Sequence, residues 1–186
     1  MKTATNVTIA CAIAVLSVPT LASAERSKDF SSATKLSAAQ EVQNSPVVSK
    51  GRSKAIIRFA RDFSSAEIRV NFNRLEGQVT RLHLHCNIAG TNGPIAIGLI
   101  DVIAPANDNS DVITFEGHRI FGTITNAEFP TEDPCPGFVN RPVNNIVSLA
   151  AAIEAGLIYW NLHTDAFPAG ELRGQVRPLI ATEDDD

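Results

Sequence analysis

The amino-acid sequence predicts an all-β fold, an antiparallel β-sandwich with one short helix. Three observations support this prediction. Short segments with a strand-like pattern follow one another, frequent turn residues separate them, and only one segment has helical periodicity. Many short strands with a single helix are typical of a sandwich rather than of a layered α/β fold. No internal repeat of fixed period divides the chain.

The clearest strand lies in residues 67–73, where Ile68, Val70 and Phe72 alternate with polar residues. This period of two indicates a strand with one buried face. Similar short segments recur along the rest of the chain. The predicted strands are residues 53–59, 67–73, 79–86, 95–101, 112–117, 119–124, 157–164 and 171–178.

One helix is predicted within residues 144–156, because apolar residues recur there at the i, i+3, i+4 and i+7 positions. Asn144 is the expected N-cap, and Gly156 is the expected C-terminal stop. The apolar positions are Ile146, Leu149, Ala150 and Ile153.

The chain divides into four predicted parts. They are a signal peptide over residues 1–24, a polar leader over 25–33, one domain over 34–178 and an acidic tail over 179–186.

The N-terminal segment has the composition of a secretory signal peptide. Lys2 supplies a positive charge, residues 7–18 are mostly apolar, and Ala-Ser-Ala at 22–24 suits cleavage. The apolar run is too short for a membrane span and no second run follows, so no span is predicted in the mature chain. We therefore expect a secreted protein in a periplasmic or extracellular location. The alternative is an uncleaved N-terminal anchor.

The cysteine count then predicts a disulfide. Cleavage after Ala24 removes Cys11 and leaves Cys86 and Cys135 as a pair in an oxidising compartment. The bond closes a loop of roughly fifty residues and stabilises the fold by about 3 to 4 kcal/mol on the chain-entropy model. Two separate buried thiols are the alternative.

Charge and motifs exclude several classes of function. The full chain has a formal net charge of −4, and its aromatic residues do not interleave with Lys or Arg, so nucleic acid is not an expected partner. There is no Gly-x-Ser-x-Gly motif and no phosphate-binding loop. We assign no catalytic residue. The remaining expected partners are a metal ion or an unidentified extracellular protein.

Histidines are the main candidates for chemistry. His83 and His85 are two residues apart on a predicted strand, so their side chains share one face while Cys86 belongs to the other. His163 lies on a later strand. If these strands are neighbours, the imidazoles converge as in a three-histidine zinc site, with ring nitrogens within about 4 Å of one another. His118 is expected to be solvated at a turn.

Such a cluster suits copper or zinc, and no other cofactor is indicated. The alternative is that the histidines are exposed or hydrogen-bonded side chains on a strand face and bind no metal. Asn161 shares the face of His163. Asp165 and Glu171 are the nearest carboxylates, and they either complete the site, orient an imidazole or form an ordinary salt bridge, for example with Arg173. We favour the salt bridge.

Three blocks of sequence together resemble the CHRD (chordin-type) domain family. The blocks "LSAAQEV", "LHLHCNIAGTNGPIAIGL" and "AAIEAGLIYWNLHTDAFPAGELRGQV" follow the order of the family and cover roughly residues 34–177. The chain is similar to the single-domain exported type of bacteria. The proline-rich segment that contains Cys135 departs from the family pattern.

The resemblance implies an immunoglobulin-like or superoxide-dismutase-like sandwich. In animal chordins the growth-factor contact is credited to cysteine-rich modules, and none is present here, so that function is not carried over. The family motif positions in this chain are His83, His85, His163, Glu171 and Arg173.

Three functions follow as hypotheses. The first is a secreted CHRD-domain binding module that holds copper or zinc at the three histidines. The second is a structural or adhesive extracellular domain without metal, in which the histidines and the segment "ELRGQ" (residues 171–175) form a buried polar network. The third is a metal-dependent enzyme, although four histidines in the whole chain are too few for a two-metal dismutase site.

Overall fold

A computed structural model describes residues 29–103, 109, 111–130, 135 and 142–182. These parts contain ten strands, one α-helix and short 3-10 turns at Ala38–Gln40 and Asn126–Glu128. The helix α1 is Ile146–Glu154. The strands are β1 Asp29–Leu36, β2 Arg52–Phe59, β3 Ala66–Asn73, β4 Val79–Cys86, β5 Ile95–Asp101, β6 Ile113–Glu116, β7 Arg119–Ile124, β8 Ile158–Thr164, β9 Leu172–Gln175 and β10 Ile180–Thr182.

The strands form two antiparallel sheets, which confirms the predicted β-sandwich. One sheet has six strands in the order β10-β1-β2-β3-β7-β6, and the other has four in the order β5-β4-β8-β9. Inward-facing residues from both sheets form one hydrophobic core. Ile57 and Ile68 of the larger sheet and Leu84 and Trp160 of the smaller sheet are fully buried there.

The pairing of β4 with β8 brings distant parts of the chain together. In this register Arg81 lies opposite His163, His83 opposite Asn161 and His85 opposite Tyr159. On the other side, β4 pairs with β5 through two register shifts. β4, which carries His83 and His85, is therefore an inner strand of the smaller sheet, with β5 on one side and β8 on the other.

The leader and tail of the sequence-based division differ from the structure. Residues 29–33 belong to β1, and residues 180–182 form β10, which pairs with β1. Ser32 and Thr34 point inward, so the buried face of β1 lacks the apolar alternation that marks β3. The predicted signal peptide lies outside the described residues.

The helix matches its prediction except at the N-cap. The cap is Asn145 rather than Asn144, since the Asn145 side chain accepts a hydrogen bond from the Ser148 amide. Gly156 follows the helix with φ +70°, as expected for its stop. No helix in the described parts of the chain is long and apolar enough to cross a membrane.

Cys86 and Cys135 form the predicted disulfide, with Cα atoms 5.8 Å apart. Both residues are fully buried. The bond fixes the end of β4, one residue beyond His85, to a distant segment of the chain.

Candidate metal centre

The three predicted histidines converge on the face of the smaller sheet that points away from the core. His83 and His85 project from β4, and His163 projects from the adjacent β8. One ligand atom of each lies within 4.8 Å of those of the other two. This limit is wider than the 4 Å expected from the sequence. The ring centroids are 5.1 Å apart for His83–His163 and 5.5 Å apart for His83–His85.

Backbone carbonyls orient two of the three imidazoles. His85 Nδ1 donates to the Gly93 carbonyl at 2.9 Å, and His163 Nδ1 donates to the Pro168 carbonyl at 3.0 Å. A carbonyl can only accept, so these contacts place the proton on Nδ1 and leave the lone pair on Nε2. Metal-binding histidines are commonly held in this way by a partner on the other ring nitrogen.

Each ring also has one nitrogen that is buried without a hydrogen bond. Among the described residues these atoms are His83 Nδ1, His85 Nε2 and His163 Nε2. Leaving a polar atom buried and unpaired costs about 1 to 3 kcal/mol. A bound cation would give all three nitrogens a partner.

The imidazoles are neutral at physiological pH. Burial and the neighbouring histidines lower the pKa of His83 to about 3. Burial also lowers the pKa of His163 to about 4, against the opposing effect of its Pro168 hydrogen bond. The Asp101 carboxylate raises both pKa values slightly, and the Arg81 guanidinium lowers them. The rings are therefore ready to act as ligands without losing a proton.

The third ring, His85, is part of an aromatic and cationic stack. Its imidazole stacks on Tyr159 with centroids 5.0 Å apart and an angle of 12° between the planes. The Arg173 guanidinium carbon lies 3.5 Å from the centroid of the Tyr159 ring. The Tyr159 hydroxyl accepts from the Gly93 amide at 3.0 Å. The loop that orients His85 is thus tied to the same stack.

The CHRD domain family model matches residues 32–176 of the 186-residue chain. The chain belongs to the CHRD domain family. The match covers both strands that carry the histidines and confirms the resemblance identified from the sequence blocks. Comparison with curated proteins and with solved structures found no match.

Glu171 of this CHRD domain supports loops rather than an imidazole. Its carboxylate accepts from the Ser49 hydroxyl at 2.6 Å, the Glu76 amide at 2.9 Å and the Thr164 hydroxyl at 2.7 Å. Glu171 is fully buried. The expected salt bridge with Arg173 was therefore wrong, because these donors already satisfy the carboxylate.

Arg173 has different partners from those predicted. Its guanidinium donates to the Asn92 side chain at 2.9 Å and to the Thr91 carbonyl at 2.7 Å. The side chain is 1% exposed. Arg173 thus holds the loop after β4, which also carries Gly93.

Asp165 and His118 lie outside the cluster. The Asp165 carboxylate accepts from the Gln78 amide at 2.8 Å and stabilises a turn. The Asp165 carboxylate therefore has no role in orienting His163, whose Nδ1 donates to the Pro168 carbonyl instead. His118 is exposed and contacts the ring of Phe72, so its predicted solvated position is confirmed.

Asn161 lies between the histidines and a residue that the sequence analysis missed, Glu41. The Asn161 amide donates to the Glu41 carboxylate at 3.4 Å. Burial raises the pKa of Glu41 to about 7, although Arg173 opposes this effect. Glu41 belongs to the "LSAAQEV" block, so the family resemblance was the signal that could have identified it.

Proposed function

We propose that this CHRD domain is a binding module that holds a copper or zinc ion through His83, His85 and His163. The observation that carries the proposal is the set of buried, unpaired ring nitrogens, one from each histidine. Two of the rings have a tautomer already fixed by backbone carbonyls. The module acts by binding the ion in an oriented set of neutral ligands.

The donor set decides the class of metal. Imidazole nitrogen suits zinc and copper, whereas calcium and magnesium prefer oxygen ligands. For the same ligands copper(II) generally binds more tightly than zinc. Tetrahedral bonds of about 2 Å place ligand nitrogens about 3.3 Å apart, so binding draws the three rings closer together.

The decisive experiment measures copper and zinc in the purified protein by mass spectrometry after exposure to each ion. We expect one ion per chain in the wild type, and at least about tenfold weaker binding in His83→Ala and His163→Ala. The matched control is His118→Ala, which removes an exposed imidazole outside the cluster. Circular dichroism checks that each variant is folded.

Two results would contradict the proposal. A folded wild type that takes up no stoichiometric metal would show that the cluster is not a metal site. Metal retained by both cluster variants would place the ion elsewhere in the chain.

A structural or adhesive module without metal is the second candidate, and the Glu171 network favours it. Glu171 and Arg173 hold loops on the same face through hydrogen bonds that need no ion. The unpaired histidine nitrogens do not belong to that network. Metal content therefore separates the two candidates. Superoxide and hydrolysis assays on metal-loaded protein then test the third, a metal-dependent enzyme.

We also propose that the domain works outside the cytosol. The buried Cys86–Cys135 bond supports this location, because structural disulfides persist in oxidising compartments. Mass determination of the exported protein tests the predicted cleavage after Ala24. An intact N-terminus on the exported protein would support the anchor instead.

A further inference from the structure

The outer face of the six-stranded sheet is positively charged. Along β1, β2, β3 and β7 the residues that alternate with the core are exposed, and many of them are Lys or Arg. The whole chain carries a net charge of −4, so this face differs from the average of the molecule. We call it the basic face. Its cations are Lys35, Arg52, Lys54, Arg58, Arg69 and Arg119, and its acids are Asp29, Glu67 and Glu116.

Strand register aligns several of these side chains in a row. Lys35 lies directly opposite Lys54, Lys54 opposite Asn71, and Asn71 opposite Arg119. Neighbouring strands are about 4.8 Å apart, so the positive charges recur across the sheet at about 5 and 10 Å. Like charges directly opposite one another destabilise a sheet. The Lys35–Lys54 pair therefore has a cost that an anionic partner would offset.

A shallow depression of about 350 Å³ lies on the same face. Its lining includes Arg69, Asn71, Arg119 and Phe121. Phe121 is 38% exposed, and the Arg119 guanidinium lies 6.0 Å from its ring centroid. An exposed aromatic ring beside two guanidinium groups and an amide offers stacking together with charged hydrogen bonds.

The acids of the basic face neutralise it only in part. Glu67 contacts Arg69 at 3.2 Å, and Glu116 contacts Arg119 at 3.8 Å. All four side chains are about half exposed or more. Exposed pairs of this kind contribute little and are screened by salt, so the arginines can exchange them for a ligand.

We propose that the basic face binds an acidic polysaccharide. A linear polymer of uronate units carries carboxylates at regular intervals along its length, which matches a row of cations across a flat sheet. Its sugar rings present C–H faces that pack on Phe121, while carboxylates accept from Arg69 and Arg119. Charge complementarity and the aromatic platform select this partner. The basic face and the histidine cluster lie on opposite sides of the sandwich, so the two sites act independently.

Calorimetric titration with polygalacturonate tests the proposal, with EDTA present so that metal ions cannot bridge the partners. We expect the Arg69→Gln/Arg119→Gln double variant to bind about tenfold more weakly, and Phe121→Ala to weaken binding as well. Binding of the wild type weakens as salt rises, because cations that pair with the polymer release counterions. The matched control is Arg177→Gln, which removes an exposed arginine that lies outside the basic face.

Several outcomes would overturn the proposal. Equal binding of neutral dextran would show that the carboxylates are not recognised. Equal losses in Arg177→Gln would indicate unspecific attraction, and binding of duplex DNA or anionic vesicles without binding of polygalacturonate would name another partner. His163→Ala retains polymer binding if the two sites are independent, so a failed metal site leaves this test unaffected.

Discussion

Buried imidazoles set the response of the site to pH. In an unfolded chain a histidine has a pKa of 6.5, whereas burial lowers the pKa of His83 to about 3 and of His163 to about 4 in the fold. At pH values between the unfolded pKa and the folded pKa of each histidine, the ring is protonated in the unfolded chain and neutral in the folded chain. Stability is therefore lost as pH falls through this window, and the two groups contribute no pH dependence above it.

The two histidines are expected to make the metal-free protein lose unfolding free energy as pH falls from about 6.5 to about 4, while Glu41, whose pKa burial raises to about 7 in the fold, offsets part of this loss. Urea unfolding at successive pH values in EDTA measures this slope. His163→Gln removes one of the titrating rings, so its slope is smaller than that of the wild type.

His118→Gln serves as the control, because it removes an imidazole that lies outside the cluster. This variant controls for the loss of an imidazole as such, since it leaves all three rings of the cluster in place. Equal slopes in the wild type and His163→Gln would show that the buried ring does not titrate as described.

For individual residues, the sequence predicts which face of a sheet a side chain lies on, but it does not predict which groups the side chain contacts. Period-two geometry correctly placed His83 and His85 on one face and Cys86 on the other. The carbonyls that orient the rings belong to loops, and a backbone acceptor has no sequence signature. Glu171 and Arg173 share a face, yet each reaches a different loop, so spacing alone could not identify their partners.

Strands were predicted closely both where burial alternates, as in β3, and where both faces are buried, as in β4. The limits of β4 and β5 agree with the prediction residue for residue. β1 was missed because Ser32 and Thr34 occupy its buried face, and β10 because its three residues are too few for a period-two pattern. The pairing of β4 with β8 links residues about eighty positions apart, so no local pattern could show that His163 meets His83.

The loop between β4 and β5 is the element that couples folding to the site. Gly93 is essential there, because a Cβ atom at this position would collide with the Cys86 carbonyl. Its own carbonyl accepts from His85, and its amide donates to Tyr159. Any displacement of this residue therefore moves His85, one of the three histidines of the cluster.

Gly93→Ala is expected to destabilise the protein by at least about 1 kcal/mol and to weaken metal binding several-fold. Urea unfolding and metal competition titrations measure the two effects. Gly90→Asn is the matched control in the same loop, since Gly90 faces open space and Asn tolerates its positive φ of 78°. If Gly93→Ala binds metal as the wild type does, the loop does not position His85.

At the scale of the whole molecule, one covalent bond joins distant parts of the chain. The disulfide joins residues separated by 49 positions in the sequence. Cross-linking a loop of this length restricts the unfolded chain more than the folded one. Both cysteines are buried, so the link is also part of the packing.

The double variant Cys86→Ala/Cys135→Ala is expected to lose about 3 to 4 kcal/mol of unfolding free energy. Chemical denaturation measures the loss, and wild-type protein in reducing agent should approach the same value. If a reducing agent leaves the unfolding free energy of the wild type unchanged, the disulfide does not stabilise the fold as proposed. Metal binding by the folded fraction should persist, because Cys86 lies on the opposite face from the histidines.

The pairing of β1 with β10 has a consequence for how the domain can be joined to other proteins. Asp29 lies directly opposite Thr182, so the two ends of the described domain are about 5 Å apart. A domain with adjacent ends can be inserted into a loop of a host protein without stretching it, and its order can be circularly permuted with a short linker. The unit is therefore suited to exchange between larger polypeptides as a self-contained cassette.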